Sequence, residues 1–255
     1  MSEPVSIDID AGVATVVLTD PERRNALSSV MFDGLESAFT AIESDASILV
    51  ARIRAEGSAF CAGFDLPAMA EDRMLPEFLR RLGGLCRRIR SLDAIVVMEV
   101  QGPAVAGGCA LVSAGDLVHA CPEATFGYPV HRLGISPAVS LPTLMGGAGY
   151  GPARRLALSG QLLDAEAARR LGLVHSIQPD RAALINAVED RCRRLAGFDP
   201  ACVRATKRYI NELDLTDRSD RFESTLEASV ETGRSDETNE RLKAALASMR
   251  DRTGR

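Results

Sequence analysis

Histidine is scarce in this sequence: there are three in 255 residues, His119, His131 and His175, and none is near another. A zinc or iron site built on imidazole lacks its usual ligands here, so no metal centre is expected. Cysteine does not fill the gap. Cys61, Cys86, Cys109, Cys121, Cys192 and Cys202 are scattered and never fall in CxxC spacing. Their apolar contexts suit reduced, packed thiols in a cytoplasmic protein. No apolar run reaches the roughly 18 residues a membrane helix needs, so no membrane insertion is expected. The first ten residues hold three acids, no basic residue and no apolar stretch, unlike a signal peptide. Excess positive charge is also missing. The net charge of −5 argues against nucleic acid or an anionic membrane as partner.

What the chain does have is enough apolar content, 46 %, for one large core. Strand and helix patterns alternate along it. Val13 to Leu18, Ile48 to Ile53, Ile95 to Val100 and Leu117 to Ala120 read as strands. Leu27, Met31, Leu35 and Ile42 recur at helical spacing, as do Phe78, Leu82, Leu85 and Ile89. Asp164 is an N-cap for a helix that Gly172 ends, and Leu184 to Leu195 keeps the helical period. After Asp199-Pro200 the sequence is polar and helical. The reading is an α/β core over residues 1–195 and a helical oligomerisation segment over 196–255.

Two glycine-rich turns carry the chemistry. In Ser58-Ala59-Phe60-Cys61-Ala62-Gly63-Phe64-Asp65-Leu66 a glycine follows a strand and turns the next N–H groups outward. In Gln101-Gly102-Pro103-Ala104-Val105-Ala106-Gly107-Gly108 a buried strand runs into a helix start. The first N–H groups of a helix have no partner within it, and its dipole is positive at that end. Both turns suit a developing negative charge. Each one alone also fits ordinary close packing of helix on sheet.

The order and flanks of these segments, together with Asp20-Pro-Glu-Arg-Arg-Asn-Ala-Leu27, Phe126-Gly-Tyr-Pro129 and Leu171-Gly-Leu-Val174, resemble the crotonase superfamily of enoyl-CoA hydratases and isomerases. The resemblance runs from about residue 5 to 250. It implies a spiral of ββα turns with a C-terminal helical segment, assembled as a homotrimer or dimer of trimers. It implies an acyl-CoA thioester as substrate and no separate cofactor, coenzyme A being part of the substrate. The Phe64 and Gly107 N–H groups would hold the thioester oxygen, while Phe64 to Pro67, that is Phe64, Asp65, Leu66 and Pro67, would line the thioester path. Arg23, Arg24 and Ala26 would lie near the adenosine phosphates and Ala62 near the adenine. Donors aimed at an enolate oxygen are each worth about 3 kcal/mol in such sites.

The chain departs from the family where protons move. Hydratases carry glutamates where Ala110 and Val130 stand, and some isomerases carry one where Ala138 follows Ser136-Pro137. The stretch from Gly102 to Ser140 looks nearest the Δ3,Δ2-enoyl-CoA isomerase branch with its base removed, Ala138 being expected on the wall facing the thioester. His131 is the candidate proton donor, since histidine titrates near neutrality; a surface or structural role is its alternative. Tyr128 is a second candidate, against a packed structural role. Glu71, Asp72 and Glu77 lie where the family has a mobile helix and also read as a solvated face. Cys109 lacks a visible base. Asp65 and Asp116 read as structural caps, His119 as a satisfied core residue and His175 as exposed. Arg80, Arg81, Arg87, Arg88 and Arg90 read as a solvated helix face or subunit contact. Two alternatives to hydratase- or isomerase-type chemistry stay open: a non-catalytic acyl-CoA-binding protein, and an acyl-CoA decarboxylase working through the same enolate.

Overall fold

The structure, a computed structural model, describes residues 3–214 and 219–253. A hairpin opens it: β1 (Val5–Asp10) and β2 (Val13–Leu18) pair antiparallel. Ala11 and Gly12 both take positive φ at the two-residue turn, as the twist of a tight hairpin requires. Next come α1 (Ser29–Ser44), β3 (Val50–Ala55), α2 (Leu66–Glu71), α3 (Leu75–Ser91) and β4 (Ile95–Val100). Then follow β5 (Ala104–Val105), α4 (Gly107–Ala114), β6 (Leu117–Ala120) and β7 (Thr125–Gly127). Helices α5 (Leu141–Ala148) and α6 (Tyr150–Ser159) lead to β8 (Leu162–Asp164), α7 (Ala165–Arg170), β9 (Ser176–Ile177) and α8 (Arg181–Ala196). The chain closes with α9 (Pro200–Leu213), α10 (Ser219–Gly233) and α11 (Asp236–Thr253).

Six strands form one sheet in the order β1-β2-β3-β4-β6-β9, and every pair after the hairpin is parallel. A smaller sheet, β5-β7-β8, stands beside it. Parallel strands need both faces covered, and the strand residues divide accordingly. Ala51, Ile53, Val96, Met98 and Val100 join the main core with α1, α3 and α4. Val50 and Val97 point the other way, into a second core under Leu184, Val188 and Cys192 of α8. This period of two is what turns continuous apolar runs into central strands. The α/β class and the helical C-terminal region expected from the sequence are both present.

Two buried ion clusters tie distant elements. Arg52 of β3 pairs with Glu99 of β4. Asp116 takes the Val96 N–H at 2.7 Å and Lys207 Nζ of α9 at 2.7 Å, so it is structural, as expected. Burial pushes the Lys207 ammonium below its usual range, and the Asp116 carboxylate opposes that shift.

The C-terminal helices fold back on this chain. Helix α10 lies on α3 and residues 137–140, and α11 on α2. Sequence reading would take Phe222, Leu226, Leu242, Ala245 and Leu246 as an apolar stripe left exposed on a monomer. The structure corrects this: Phe222, Leu242 and Leu246 are buried in the main core and Leu226 packs against it. The exposed large apolar residues of these helices include Tyr209, Ile210 and Leu213 of α9 and Met249 of α11.

Candidate active site

The site begins with a buried asparagine. Arg24 and Asn25 both adopt left-handed backbone, φ 54° and 53°, which asparagine tolerates better than most residues. Fully buried, Asn25 donates through Nδ2 to the Glu56 and Ala59 carbonyls at 2.9 Å, and its Oδ1 accepts the Asp20 N–H at 3.0 Å. That fastens the 20–28 loop to the 56–65 loop. Backbone bonds complete the seam: Leu27 N–H to Gly63 O at 2.8 Å, Asp65 N–H to Leu27 O at 3.2 Å and Ala62 N–H to Arg24 O at 3.0 Å. Phe64 sits between the bonded residues, and its own N–H has no main-chain partner among the described residues.

The second turn is docked on the first. Val105 N–H bonds to Cys61 O at 3.0 Å and Ala106 N–H to Gly127 O at 2.8 Å. Ala106 is held at φ 53°, ψ −114°, a region costing an alanine on the order of 1–3 kcal/mol. This turn starts α4, so the Gly107 N–H is also without a main-chain partner among the described residues. The two segments touch. A Cβ on Gly63, itself at φ 95°, would stand 3.1 Å from Ala106 Cβ and 3.6 Å from the Gly107 nitrogen. A Cβ on Gly108 would lie 2.3 Å from Cys61 O, so α4 approaches that loop only because this position is glycine. The Phe64 ring packs between Phe32 and Phe78, with centroids 6.3 and 5.7 Å away, which fixes its backbone.

A cavity of about 420 Å³ opens at this junction, within the size range of small-molecule sites. Arg23, Arg24, Ala26, Ala62, Phe64, Asp65, Leu66, Pro67 and Gly107 all line it. Its charged residues are Arg23, Arg24 and Asp65. Asp65 accepts from Arg23 at 2.6 Å and makes no side-chain cap to α2. The expected capping role is thus replaced by an ion pair, because the guanidinium is the stronger partner. The buried inner wall is formed by Leu79, Leu82, Ala110, Tyr128, Val130, Val139 and Ser140. Apart from the arginines and Asp65, Tyr128 is the one titratable side chain on the lining.

Tyr128 is nearly fully buried, and its hydroxyl makes no hydrogen bond of ordinary geometry although Cys109, Ser113 and Ser140 surround it. Those neighbours are committed elsewhere. Ser113 Oγ donates to Ala110 O at 2.8 Å, and Ser140 Oγ to Pro137 O at 2.8 Å. Burial drives the phenol well above its usual range, so it stays protonated and is not a base. Burial likewise pushes Cys109 up to about 12, which leaves it a thiol and not a nucleophile.

Several sequence candidates lie elsewhere. His131 is exposed at the start of a 3-10 turn, His131–Leu133, and the cavity takes Val130 and Leu133 from that turn instead. Ala138 is half-buried in the 3-10 turn Pro137–Ser140, whose other members line the cavity while Ala138 does not. Glu71 pairs with Arg250 at 2.8 Å and Glu77 with Arg80 at 3.7 Å; neither these nor Asp72 reach the lining. Arg81 and Arg88 bridge α3 to acids of α1, and Arg90 is buried against Asp116 and Asp214. His119 is not a satisfied core residue: Nδ1 meets Ser176 Oγ at 2.6 Å, while Nε2 has no partner. His175 is exposed, its Nδ1 accepting the Val118 N–H at 2.8 Å. Sequence reading missed Leu79, Met69, Ser140 and Met249 as lining residues. For Met249 there was a signal, since Leu242, Leu246 and Met249 share helical spacing on α11.

Comparison with known proteins places these features. The family described as Enoyl-CoA hydratase/isomerase matches residues 8–246. The 2,3-dehydroadipyl-CoA hydratase of Escherichia coli K12 is 30 % identical over 201 residues, 78 % of this chain and 78 % of that protein. The short-chain-enoyl-CoA hydratase of Clostridium acetobutylicum is 29 % identical over 213 residues, covering 81 % and 80 %. An enoyl-CoA hydratase/isomerase structure from Xanthobacter autotrophicus Py2 superposes with a TM-score of 0.85 at 28 % identity, covering 97 % of each chain. The crotonase-type fold implied by the resemblance is the fold of this chain. Among the described residues no helix is long and apolar enough to cross a membrane, and no cluster of metal-ligating side chains occurs.

Proposed function

The chain belongs to the enoyl-CoA hydratase/isomerase family, and on that premise we propose that it binds an acyl-CoA thioester in the 420 Å³ cavity and polarises the carbonyl between the Phe64 and Gly107 N–H groups. The observation that carries this reading is the abutment of two turns whose unpartnered N–H groups belong to cavity-lining residues. Arg23 and Arg24, exposed on the lining, suit the phosphates of the coenzyme A portion. No further cofactor is called for.

Polarising the carbonyl stabilises an enolate, but a proton must still move. The relatives' names bring hydration of 2-enoyl thioesters to this chain as the first activity to test. Against fast hydration stand Ala110 and Val130, both on the buried wall. Water there meets no carboxylate. We place the chemistry on the isomerase-like side of the family: water alone accepts the α-proton, Tyr128 as the neutral donor returns a proton to the enolate, and turnover is expected to be slow, with crotonyl-CoA hydration negligible beside that of a two-glutamate hydratase. The carboxylate of a carboxyacyl group could also leave as carbon dioxide, the electrons of the broken bond passing into the thioester enolate, which then takes a proton from Tyr128; this step needs no base to begin. A second reading, binding without chemistry, is favoured by the same neutral wall.

The deciding experiment is a turnover screen over an acyl-CoA panel with binding measured in parallel. Turnover supports the enzyme; tight binding with no turnover supports the binding protein; no binding of any thioester removes both. We further propose that the chain acts as a trimer or dimer of trimers in the cytoplasm. The exposed Tyr209, Ile210 and Leu213 of α9 would be covered in such an assembly. A monomeric mass by sedimentation at micromolar concentration would remove that proposal.

A further inference from the structure

The thioester cavity is not bounded by solid core behind α2. Met69, 4 % exposed, lines that cavity and also a second one, of about 180 Å³. It is the one described residue common to both linings. Leu75, Pro76 and Leu242 give the second cavity apolar walls beside the buried Asn239, and Arg73, Arg234 and Asp236 give it a charged, solvent-facing rim. The wall between the two is thin: α2 has six residues, Leu66–Glu71. It is anchored at both ends. Asp65, its N-cap residue, pairs with Arg23 at 2.6 Å and donates its N–H to Leu27 O at 3.2 Å, and the Glu71–Arg250 pair at 2.8 Å ties the other end to α11. The helix is held by these contacts, none of which involves the Met69 side chain. Methionine is unbranched, with a soft thioether on three rotatable bonds, so it can swing where leucine or valine would stay.

Resting on the acyl-CoA reading above, we propose that Met69 partitions a bipartite acyl site. The inner cavity takes the thioester and the near end of the chain. The outer cavity takes the far end of a long acyl chain, once the thioether moves aside. Displacing Met69 is a cost that only long chains meet, so the unaltered protein favours short ones.

The test is binding of butyryl-, octanoyl-, dodecanoyl- and palmitoyl-CoA to the full chain and to its Met69→Ala and Met69→Val variants. The expected result is an affinity ratio of dodecanoyl- to butyryl-CoA about tenfold or more higher in Met69→Ala and intermediate in Met69→Val. An unchanged ratio in variants that keep butyryl-CoA binding overturns the partition and leaves the thioester site standing. Failure of the unaltered chain to bind any thioester overturns both. A second measurement needs no substitution. A dodecanoyl-CoA with a terminal diazirine, photolysed on the unaltered protein at saturation, should label peptides holding Leu75, Asn239 or Leu242. Label confined to the inner wall, such as Val139 and Ser140, would also overturn the partition.

Discussion

A backbone N–H cannot be deleted by ordinary side-chain exchange, yet position 107 allows it. Gly107 is the first residue of α4, where proline is tolerated because that N–H has no intrahelical partner and φ is already helical. The preceding residue is usually the obstacle, since proline drives it out of the α region. Ala106, at φ 53°, ψ −114°, is outside the α region but also outside the extended region a following proline requires, so the substitution strains this turn. Gly107→Pro removes one proposed thioester donor at that strain, and retention of the helix is checked first by circular dichroism. It also adds a Cβ, which would stand 2.8 Å from Leu27 Cδ1 and 3.4 Å from the Phe64 ring. Leu27 is buried, so its displacement costs about 1–3 kcal/mol of stability. Gly107→Ala adds the same Cβ but keeps the N–H, so the difference between the two folded variants reports the donor together with the shift that proline imposes on Ala106. A lost oxyanion donor is worth about 3 kcal/mol, or roughly 10²–10³ in rate. Any turnover found in the panel should fall by that factor in Gly107→Pro relative to Gly107→Ala. The vibrational frequency of a carbonyl-labelled thioester gives a readout without turnover: it should move down on binding to Gly107→Ala and less on binding to Gly107→Pro. Equal carbonyl shifts and equal rates in two folded variants would refute the donor role of Gly107.

Three further outcomes are expected. Ala110→Glu with Val130→Glu restores carboxylates to the buried wall, where desolvation raises their pKa; crotonyl-CoA hydration should rise by at least about 10²-fold, and no gain in a folded, ligand-binding variant would show that the neutral wall does not limit hydration. Tyr128→Phe removes a hydroxyl with no hydrogen bond in the free protein, so the melting temperature should not fall, since deleting an unsatisfied buried donor costs nothing, whereas turnover should drop about tenfold or more; unchanged turnover would reduce Tyr128 to packing. Burial and the nearby Arg191 guanidinium lower His119 to about 4 from an ordinary 6.5, so the unfolded chain binds a proton there first, and stability should decline as pH falls from about 6.5 to 4, by at most about 3 kcal/mol; His119→Gln should flatten that part of a pH–denaturation profile, and an unaltered slope would assign it to other groups.

The two turns were legible because each needs only short-range features. A glycine after a strand and a glycine pair before a helix determine which N–H groups are left unbonded, whatever the neighbouring side chains are. The central strands were legible for a similar reason, since β4 carries apolar residues on both faces, Glu99 apart, and so declares that both are covered. The smaller sheet was not, because β5, β7 and β8 have only two or three residues each and no pattern of period two can show in so short a run. Side-chain direction inside the two 3-10 turns was equally hidden. Such turns have no periodicity to count over, and His131 and Ala138 both lie outside a lining formed by their immediate neighbours. The contributions of Met249 and Met69 depend on how α11 folds back against α2, a contact across about 180 positions (Glu71 with Arg250) that local spacing does not encode.

This division between backbone and side chain also bears on where a missing base should be sought. A carboxylate at 138 would project from a residue that is not on the cavity wall, although Ser136 and Pro137 before it, and Val139 and Ser140 after it, are. Positions 110 and 130 are on the wall and buried, one turn along α4 from the Gly107 N–H and just beyond Tyr128 respectively. Ala138→Glu should therefore leave 3-enoyl-CoA isomerisation at its parental level, while Ala110→Glu raises proton exchange at the α-carbon, read as deuterium uptake from solvent into bound acyl-CoA. If the 138 variant gained isomerase activity and the 110 variant gained no exchange, the wall residues given by the structure would be the wrong ones, and the turn at Pro137–Ser140 would have to rearrange when substrate binds.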